Sequence, residues 1–311
     1  MNDKHFSRRG QALLLVLLAM AVLATMMLSV VSRSVSEVAV TTREEESLRA
    51  FSAAEAGVEQ ALISGSQQDI IDMGIISVTD TLEVPSESGL SEVSRFDAEV
   101  VRYPEDPTKF AYPFELTSGQ SASVWFVTRD GDTIEPCSPL NCFQGNELTL
   151  CYGDPTAAGP DPDPAIVASI IYEDAGSYGI AHIGFDSNAN ATRRDVGSGG
   201  TPPNNFEPSI SAGATCTNVD GQNYKFQASV DFVSLNVVGT PILMRVSTLY
   251  NPSVPHVFGV VTSSPLPIQG RKVSSEGIAG QTTRKIDAFL LNPEMPFIYD
   301  AAIYSGGGIT K

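Results

Sequence analysis

From Ala12 to Ile63 the chain contains no proline and no glycine other than Gly57. A stretch of that length without a backbone breaker, rich in Leu, Ala, Met and Glu, reads as one helix. Its first part, Ala12 to Val31, carries no charge and is interrupted only by Thr25 and Ser29. At about 1.5 Å per residue it spans about 30 Å, the thickness of a bilayer's hydrocarbon core. Its seven Leu and four Val contribute roughly −5 kcal/mol toward insertion. From Ser34 to Leu62 the composition turns to Glu, Ala, Arg and Leu. Leu48, Phe51, Ala54, Val58 and Leu62 draw an apolar stripe at helical spacing, with Glu46, Arg49, Ala53 and Gln60 roughly opposite. Glu45 and Arg49 form a favourable i, i+4 pair. Ser64-Gly65-Ser66 is the expected stop. The spacing therefore predicts a rod of about 80 Å, its first half in lipid and its second half laid on a globular domain. The rival organisation is a membrane helix followed by a separate surface helix.

Flanking charge sets an orientation. Lys4, Arg8 and Arg9 precede the span; only Arg33 follows closely, and the acidic run Glu44-Glu45-Glu46 lies further on. The basic leader is expected on the cytoplasmic side and the chain beyond about residue 32 outside. A cleavable signal peptide fits poorly, because Ala19-Met20-Ala21 lies inside the apolar run and Met27 to Ser32 offers no Ala-x-Ala site.

The remaining bulk properties narrow the class. Of 311 residues, 42% are hydrophobic and 18% charged, enough apolar surface for a packed core. The formal net charge of −17 repels phosphate backbones, so no nucleic-acid partner is expected. Four cysteines, Cys137, Cys142, Cys151 and Cys216, all follow the apolar run. An even number there fits two disulfides in an oxidising compartment. Free thiols and zinc are the rival readings; zinc is disfavoured because no C-x-x-C pair is present and His182 and His256 sit in no ligand pattern. Three pairings are possible, of which Cys137–Cys142 with Cys151–Cys216 is preferred.

Two short motifs carry a family resemblance. Arg8-Arg9-Gly10-Gln11-Ala12-Leu13-Leu14-Leu15 resembles the class III-type leader junction of type IV prepilins: a short basic leader ending in Gly, followed directly by the apolar helix. Phe51-Ser52-Ala53-Ala54-Glu55-Ala56-Gly57-Val58-Glu59 resembles the helix signature of PilX-type minor pilins. The resemblance covers residues 1 to about 65; beyond that, Pro241–Tyr250 and Lys272–Leu290 are only loosely similar to the β-rich tails of such proteins. It implies cleavage after Gly10 by a prepilin peptidase, a membrane aspartic protease, and a mature N-terminus at Gln11 that is N-methylated. It also implies other pilin subunits, an inner-membrane assembly platform and membrane lipid as partners. One departure stands out: most of the family carry Glu at the fifth mature position, where this chain has Leu15. A buried glutamate is costly in lipid and is kept for function; in pilins it is held to neutralise the neighbour's new amino terminus. Its absence favours a minor or tip subunit, like the K-type pseudopilin of type II secretion, over a repeating major pilin.

After residue 65 the pattern moves from period 3.6 toward period 2. Strands are expected at 75–84, 96–103, 122–128, 147–152, 166–172, 180–185, 224–238, 241–250, 257–262, 271–275 and 284–291, the one at 224–238 long and bulged. Pro and Gly punctuate the gaps, as in antiparallel meanders. The fold class is α+β: a long transmembrane and amphipathic helix packed on a mainly antiparallel β-rich exported domain, pilin-like in plan. The expected divisions are a leader at 1–10, a membrane helix at 11–32, its amphipathic continuation at 33–64 and the β-rich domain at 65–311. Within that domain 186–213, rich in Gly, Asn, Ser and Pro, reads as a flexible excursion and a candidate boundary between two β lobes. The loop Gly153–Pro164 gathers Asp154, Asp161 and Asp163. These form a weak calcium candidate, since the D-x-D-x-D-G pattern is missing and prolines restrict convergence. Pro293–Lys311, with Phe297, Tyr299 and Tyr304, reads as a last edge strand and a tail.

No G-x-S-x-G, H-E-x-x-H or phosphate-cradling loop is present, and no cofactor is expected. Two functions remain: a non-enzymatic pilin-like subunit drawn from the membrane into a filament, or a signal-anchored binding or adhesion protein that stays in the cytoplasmic membrane with its domain outside.

Overall fold

A computed structural model describes residues 11–64, 75–84, 92–130, 133–135, 137, 142–157, 163–197 and 203–294. Helix α1 runs unbroken over Gln11–Ser64, 54 residues, or about 81 Å. Pairs one turn apart support its charged part: Arg33 Nε donates to Glu37 Oε1 at 3.1 Å, and Arg49 pairs with Glu45. Thr41 and Thr42 return their hydroxyls to the carbonyls of Glu37 and Val38. No break occurs near Arg33, so the two-helix alternative is set aside.

Two compact units are distinguished. The first comprises Met1–Gln60, Val78–Ala98 and Ser274–Ile286. It holds most of α1 with parts of β1 (Ile75–Val84), β2 (Glu92–Tyr103), β14 (Gly270–Ala279) and β15 (Thr282–Leu291), which form a four-stranded sheet in the order β1-β2-β14-β15. Strand β2 alternates strictly: Ser94, Phe96 and Ala98 point inward, Val93, Arg95 and Asp97 outward. That is the half-buried strand its sequence predicts. The helix buries only part of the stripe its sequence draws: Ala54 is buried and Val58 and Leu62 are half-buried, but Leu48 and Phe51 face outward. Leu48 is 69% and Phe51 45% exposed, whereas Ala50, Ala53 and Ala54 are fully buried and Gly57 is buried beside them. The reason is steric. Position 277 on β14 is glycine, and a Cβ there would lie 2.0 Å from Ala50 O and 2.5 Å from Ala54 N. A Cβ on Gly57 would meet Ser275 Oγ at 2.3 Å and Phe96 Cδ2 at 2.8 Å. Backbone approaches backbone, so only small residues fit between, and the bulky side chains turn away.

The second unit comprises Ala61–Ser77, Glu99–Val273 and Asp287–Lys311. Its nine strands are β3 (Lys109–Ala111), β4 (Ser121–Trp125), β7 (Glu147–Tyr152), β8 (Ala165–Asp174), β9 (Ser177–Ser187), β10 (Glu207–Ser211), β11 (Phe226–Asp231), β12 (Thr240–Leu249) and β13 (Phe258–Val261). They follow the order β3-β13-β7-β11-β10-β9-β8-β12-β4. A two-stranded ribbon, β5 (Arg129–Asp130) and β6 (Thr133–Ile134), stands apart. All described pairings are antiparallel except β9 with β10. Phe110, Phe126, Tyr152, Phe258, Ile166, Ile170 and Met244 fill the core; each such side chain contributes about 1.5–3 kcal/mol on burial.

Two expectations are corrected. The long strand at 224–238 is the short β11, after which the chain turns at Phe232–Gly239; Phe232 N bonds Asn146 O and Val237 N bonds Phe232 O. The excursion at 186–213 is no boundary between lobes among the described residues: it contains β10, which pairs with both β9 and β11 and so joins the two halves of the sheet. Its anchor is the fully buried carboxylate of Asp186, held by Arg193 Nε at 2.7 Å and Nη2 at 2.6 Å, by Asn204 Nδ2 at 3.0 Å and by the Ser187 N–H at 2.8 Å. A buried charge demands such partners. Of the tail expected at 293–311, residues past Glu294 lie outside the described ones.

Replacing Gly277 by Ala should destabilise the helix–sheet packing by about 1–3 kcal/mol, read as a lower melting point and faster amide exchange at Ala50–Gly57. Leu48→Ala should stay within about 0.5 kcal/mol; equal effects of the two would refute the small-residue packing.

Candidate functional site

The apolar half of α1 is anomalous for a helix surface. From Leu13 to Val31 its large side chains are 44–75% exposed. It is the one helix among the described residues long and apolar enough to cross a membrane. In water each exposed Leu forgoes about 1.5–3 kcal/mol of burial, so this surface requires lipid or other apolar partners. Leu15 is 66% exposed and presents no charge to a neighbour. Gln11 opens the helix, while Lys4, Arg8, Arg9 and Gly10 precede the described residues.

The Ala53-Ala54-Glu55-Ala56-Gly57 run lies at the other end, against β14 and β2. Ala53, Ala54 and Gly57 supply the flat surface, Ala56 is half-buried and Glu55 is exposed. Polar contacts fix the same part of the helix to the β14–β15 turn. Glu46 Oε2 accepts from Gln281 N at 3.4 Å and Thr282 Oγ1 at 3.3 Å, and Arg284 donates from Nε at 2.9 Å and Nη2 at 2.6 Å to Ser47 Oγ. A cleft of about 290 Å³ runs alongside, lined by Thr42, Glu45, Glu46, Arg49, Val93, Ser94, Ala279 and Gly280; it is at the small end for an organic ligand. Sequence reasoning missed Ser275, Gly277, Glu46 and Arg284 as parts of this seat. The available signal was Gly277 within a strand pattern, which marks close backbone approach.

In the second unit the cysteines form two disulfides, Cys137–Cys142 and Cys151–Cys216, with Cα–Cα distances of 5.4 and 5.5 Å. Cys151 and Cys216 are fully buried, with Val219 and Tyr224 around them. The acidic loop is not a shared site among the described residues. Asp154 accepts from the N–H and hydroxyl of Thr156, both at 2.7 Å, and Asp163 pairs with Lys225. Asp161 is outside the described residues, and no group of three His, Cys, Asp or Glu gathers among them.

The two described histidines differ. His182 Nδ1 lies 2.9 Å from Ser169 Oγ across β8 and β9. Ser169 is buried, so its hydroxyl is not presented to a substrate. His256 is fully buried; its Nδ1 accepts from Asp154 N at 3.1 Å and its Nε2 has no hydrogen-bond partner. Burial holds its pKa below the ordinary imidazole value, with Asp154 and Asp163 opposing and Lys225 adding to the depression. Burial likewise pushes the Tyr152 and Tyr224 hydroxyls above the usual phenol range.

No protein-family model, curated protein or solved structure matches the chain. What the geometry establishes is an α+β protein with one candidate membrane-spanning helix at its N-terminal side and a disulfide-bonded β-rich part, a combination that fits a membrane-anchored, extracytoplasmic domain.

Two measurements follow from these sites. Because folded His256 stays neutral while the unfolded imidazole protonates near about pH 6.5, the unfolded state takes up the proton first as pH falls. Unfolding free energy should therefore decline from about pH 7 downward, through 6.5, until the lower folded pKa is passed. His256→Gln should flatten that part of the profile; an unchanged slope would remove His256 as the cause. Replacing both Cys151 and Cys216 by Ala, which opens a separation of 65 residues, should cost about 4 kcal/mol, against about 2 kcal/mol for the Cys137–Cys142 pair at a separation of 5; chemical denaturation reads the order.

Proposed function

We propose that this protein is a pilin-like subunit, a minor or tip component of a type IV pilus or a type II secretion-like pseudopilus. The observation that carries the reading is the single unbroken α1. Its first half is a bare apolar rod, and its second half is seated on β-structure through Ala50, Ala53, Ala54 and Gly57. A rod of that kind can exchange one apolar environment, lipid, for another, a bundle of neighbouring helices, without refolding. A plain signal anchor needs the apolar half alone and gives no reason for the helix to continue unbroken to Ser64.

In this reading Lys4, Arg8 and Arg9 hold the leader on the cytoplasmic side. A prepilin peptidase cuts between Gly10 and Gln11, and the assembly platform moves the subunit from the cytoplasmic membrane into the filament. The domain lies outside the membrane, where disulfides persist. Leu15 withholds the carboxylate that would neutralise a neighbour's amino terminus, so the subunit docks by apolar packing and occupies an end or a sparse position. The protein acts by assembly and binding rather than by catalysis.

N-terminal sequencing of protein from cells tests this directly. A start at Gln11 is expected, and Gly10→Ala should leave a precursor longer by the leader and lower the amount in sheared surface fractions by an order of magnitude or more. A mature surface form that retains Met1 would instead identify a signal-anchored binding or adhesion protein.

A further inference from the structure

We infer that Lys225 and Asp163 become joined in the folded protein by an amide bond, an intramolecular isopeptide cross-link made from the ion pair that the fold places between them.

The two side chains meet from segments 62 positions apart. Lys225 Nζ lies 2.5 Å from Asp163 Oδ1. The carboxyl carbon is one bond further on, near the roughly 3–3.5 Å separation of a near-attack pair. Neither backbone is loose. The Lys225 N–H donates to Tyr152 O at 3.2 Å and Gly153 O at 2.9 Å, and its C=O accepts from Ala212 N at 2.9 Å. Asp163 precedes Pro164, which restricts it to extended backbone. The Asp163 C=O accepts from Arg193 Nη2 at 3.2 Å, and that guanidinium is clamped by the fully buried Asp186. An exposed ion pair repays little of the entropy lost in holding a long lysine side chain still. Here two independently fixed segments deliver one amine to one carboxyl group.

The surroundings suit a condensation. The Asp163 side chain is 14% and the Lys225 side chain 33% exposed. The Phe226 ring lies 5.5 Å from Nζ and packs in turn on the buried Tyr152 ring. Partial burial disfavours separated charges and favours a neutral amine beside a neutral acid. A desolvated lysine amine is a nucleophile. One proton moves from Nζ to the carboxylate within the pair. The amine lone pair then attacks Cγ: the Nζ–Cγ bond forms, one Cγ–O bond breaks, and that oxygen leaves as water with a second proton from Nζ. The step consumes no other reactant.

The position in the fold gives the bond a use. Asp163 leads into β8 and Lys225 into β11, so the cross-link encloses β8, β9 and β10. Strand β10 is the one that pairs on both sides and joins the halves of the sheet. Closing that loop restricts the unfolded chain. The Cys151–Cys216 bridge closes an overlapping loop, but a disulfide opens to reducing thiols and an amide does not. Nothing in the geometry of the pair depends on whether the protein enters a filament.

Mass spectrometry of the full-length protein, purified in detergent and then reduced and denatured, tests this beside Lys225→Arg and Asp163→Ala. After allowance for each substitution, the unsubstituted chain should be lighter than either variant by one water, about 18 Da. Its tryptic digest should hold the Asp163 and Lys225 peptides as one branched species, uncut at Lys225. Lys225→Arg keeps the positive charge and removes only the nucleophile, so it separates an amide from an ion pair. Equal masses after that allowance would overturn the inference. So would a loss of water that persists in either variant, the mark of a succinimide at Asp130-Gly131 or Asp220-Gly221. Should Asp163→Ala fail to fold, the digest of the unsubstituted chain still decides: two separate linear peptides refute the cross-link.

Discussion

At Gly277 the sheet comes so close to α1 that a single methyl group would strike the carbonyl oxygen of Ala50. The rest of the first unit follows from that contact. It demands Ala50, Ala53, Ala54 and Gly57 on one helical face and Ser275, Gly277 and Ala279 on the facing strand, with the Phe96 ring against Gly57. Close approach recovers dispersion contacts that small side chains alone would not give. It also fixes rotation: once the small face is turned inward, Leu48 is turned out.

The opposite end of the same helix is uncharged and exposed along its length. No position from Leu13 to Val31 is charged or covered. A bilayer satisfies that surface by the transfer of side chains, and helix hydrogen bonds leave no backbone group unmet in lipid. Continuity of the helix through Arg33 is what lets one element answer to both environments. Glu46 and Arg284, bonded to the β14–β15 turn and to Ser47, tie the rod to the sheet through its charged half rather than its apolar half.

In the second unit the chain spends its polar groups on topology. Asp186, Arg193 and Asn204 draw 186–213 inward so that β10 can pair on both sides. The Cys151–Cys216 bridge fixes β7 to the segment that follows β10. Both devices sit where two halves of a sheet must be held in register, and a register slip there would turn every inward side chain outward.

The helix, its length and its apolar half are determined by the sequence, because the absence of proline and the run of Leu and Val act locally. Several strands, such as β1, β7 and β12, were legible for the same reason: alternation and turn residues are neighbours in the chain. Which face of the helix is buried was not legible. Hydrophobicity favoured Leu48 and Phe51, and only the glycine at 277, more than two hundred residues away, made Ala50 and Gly57 the better fit. Strand β10 hid in a loop-like composition because its place depends on the buried Asp186–Arg193 pair and not on its own propensity. Tertiary structure decided these points because steric closeness and charge compensation are properties of pairs, and a sequence displays its residues one at a time.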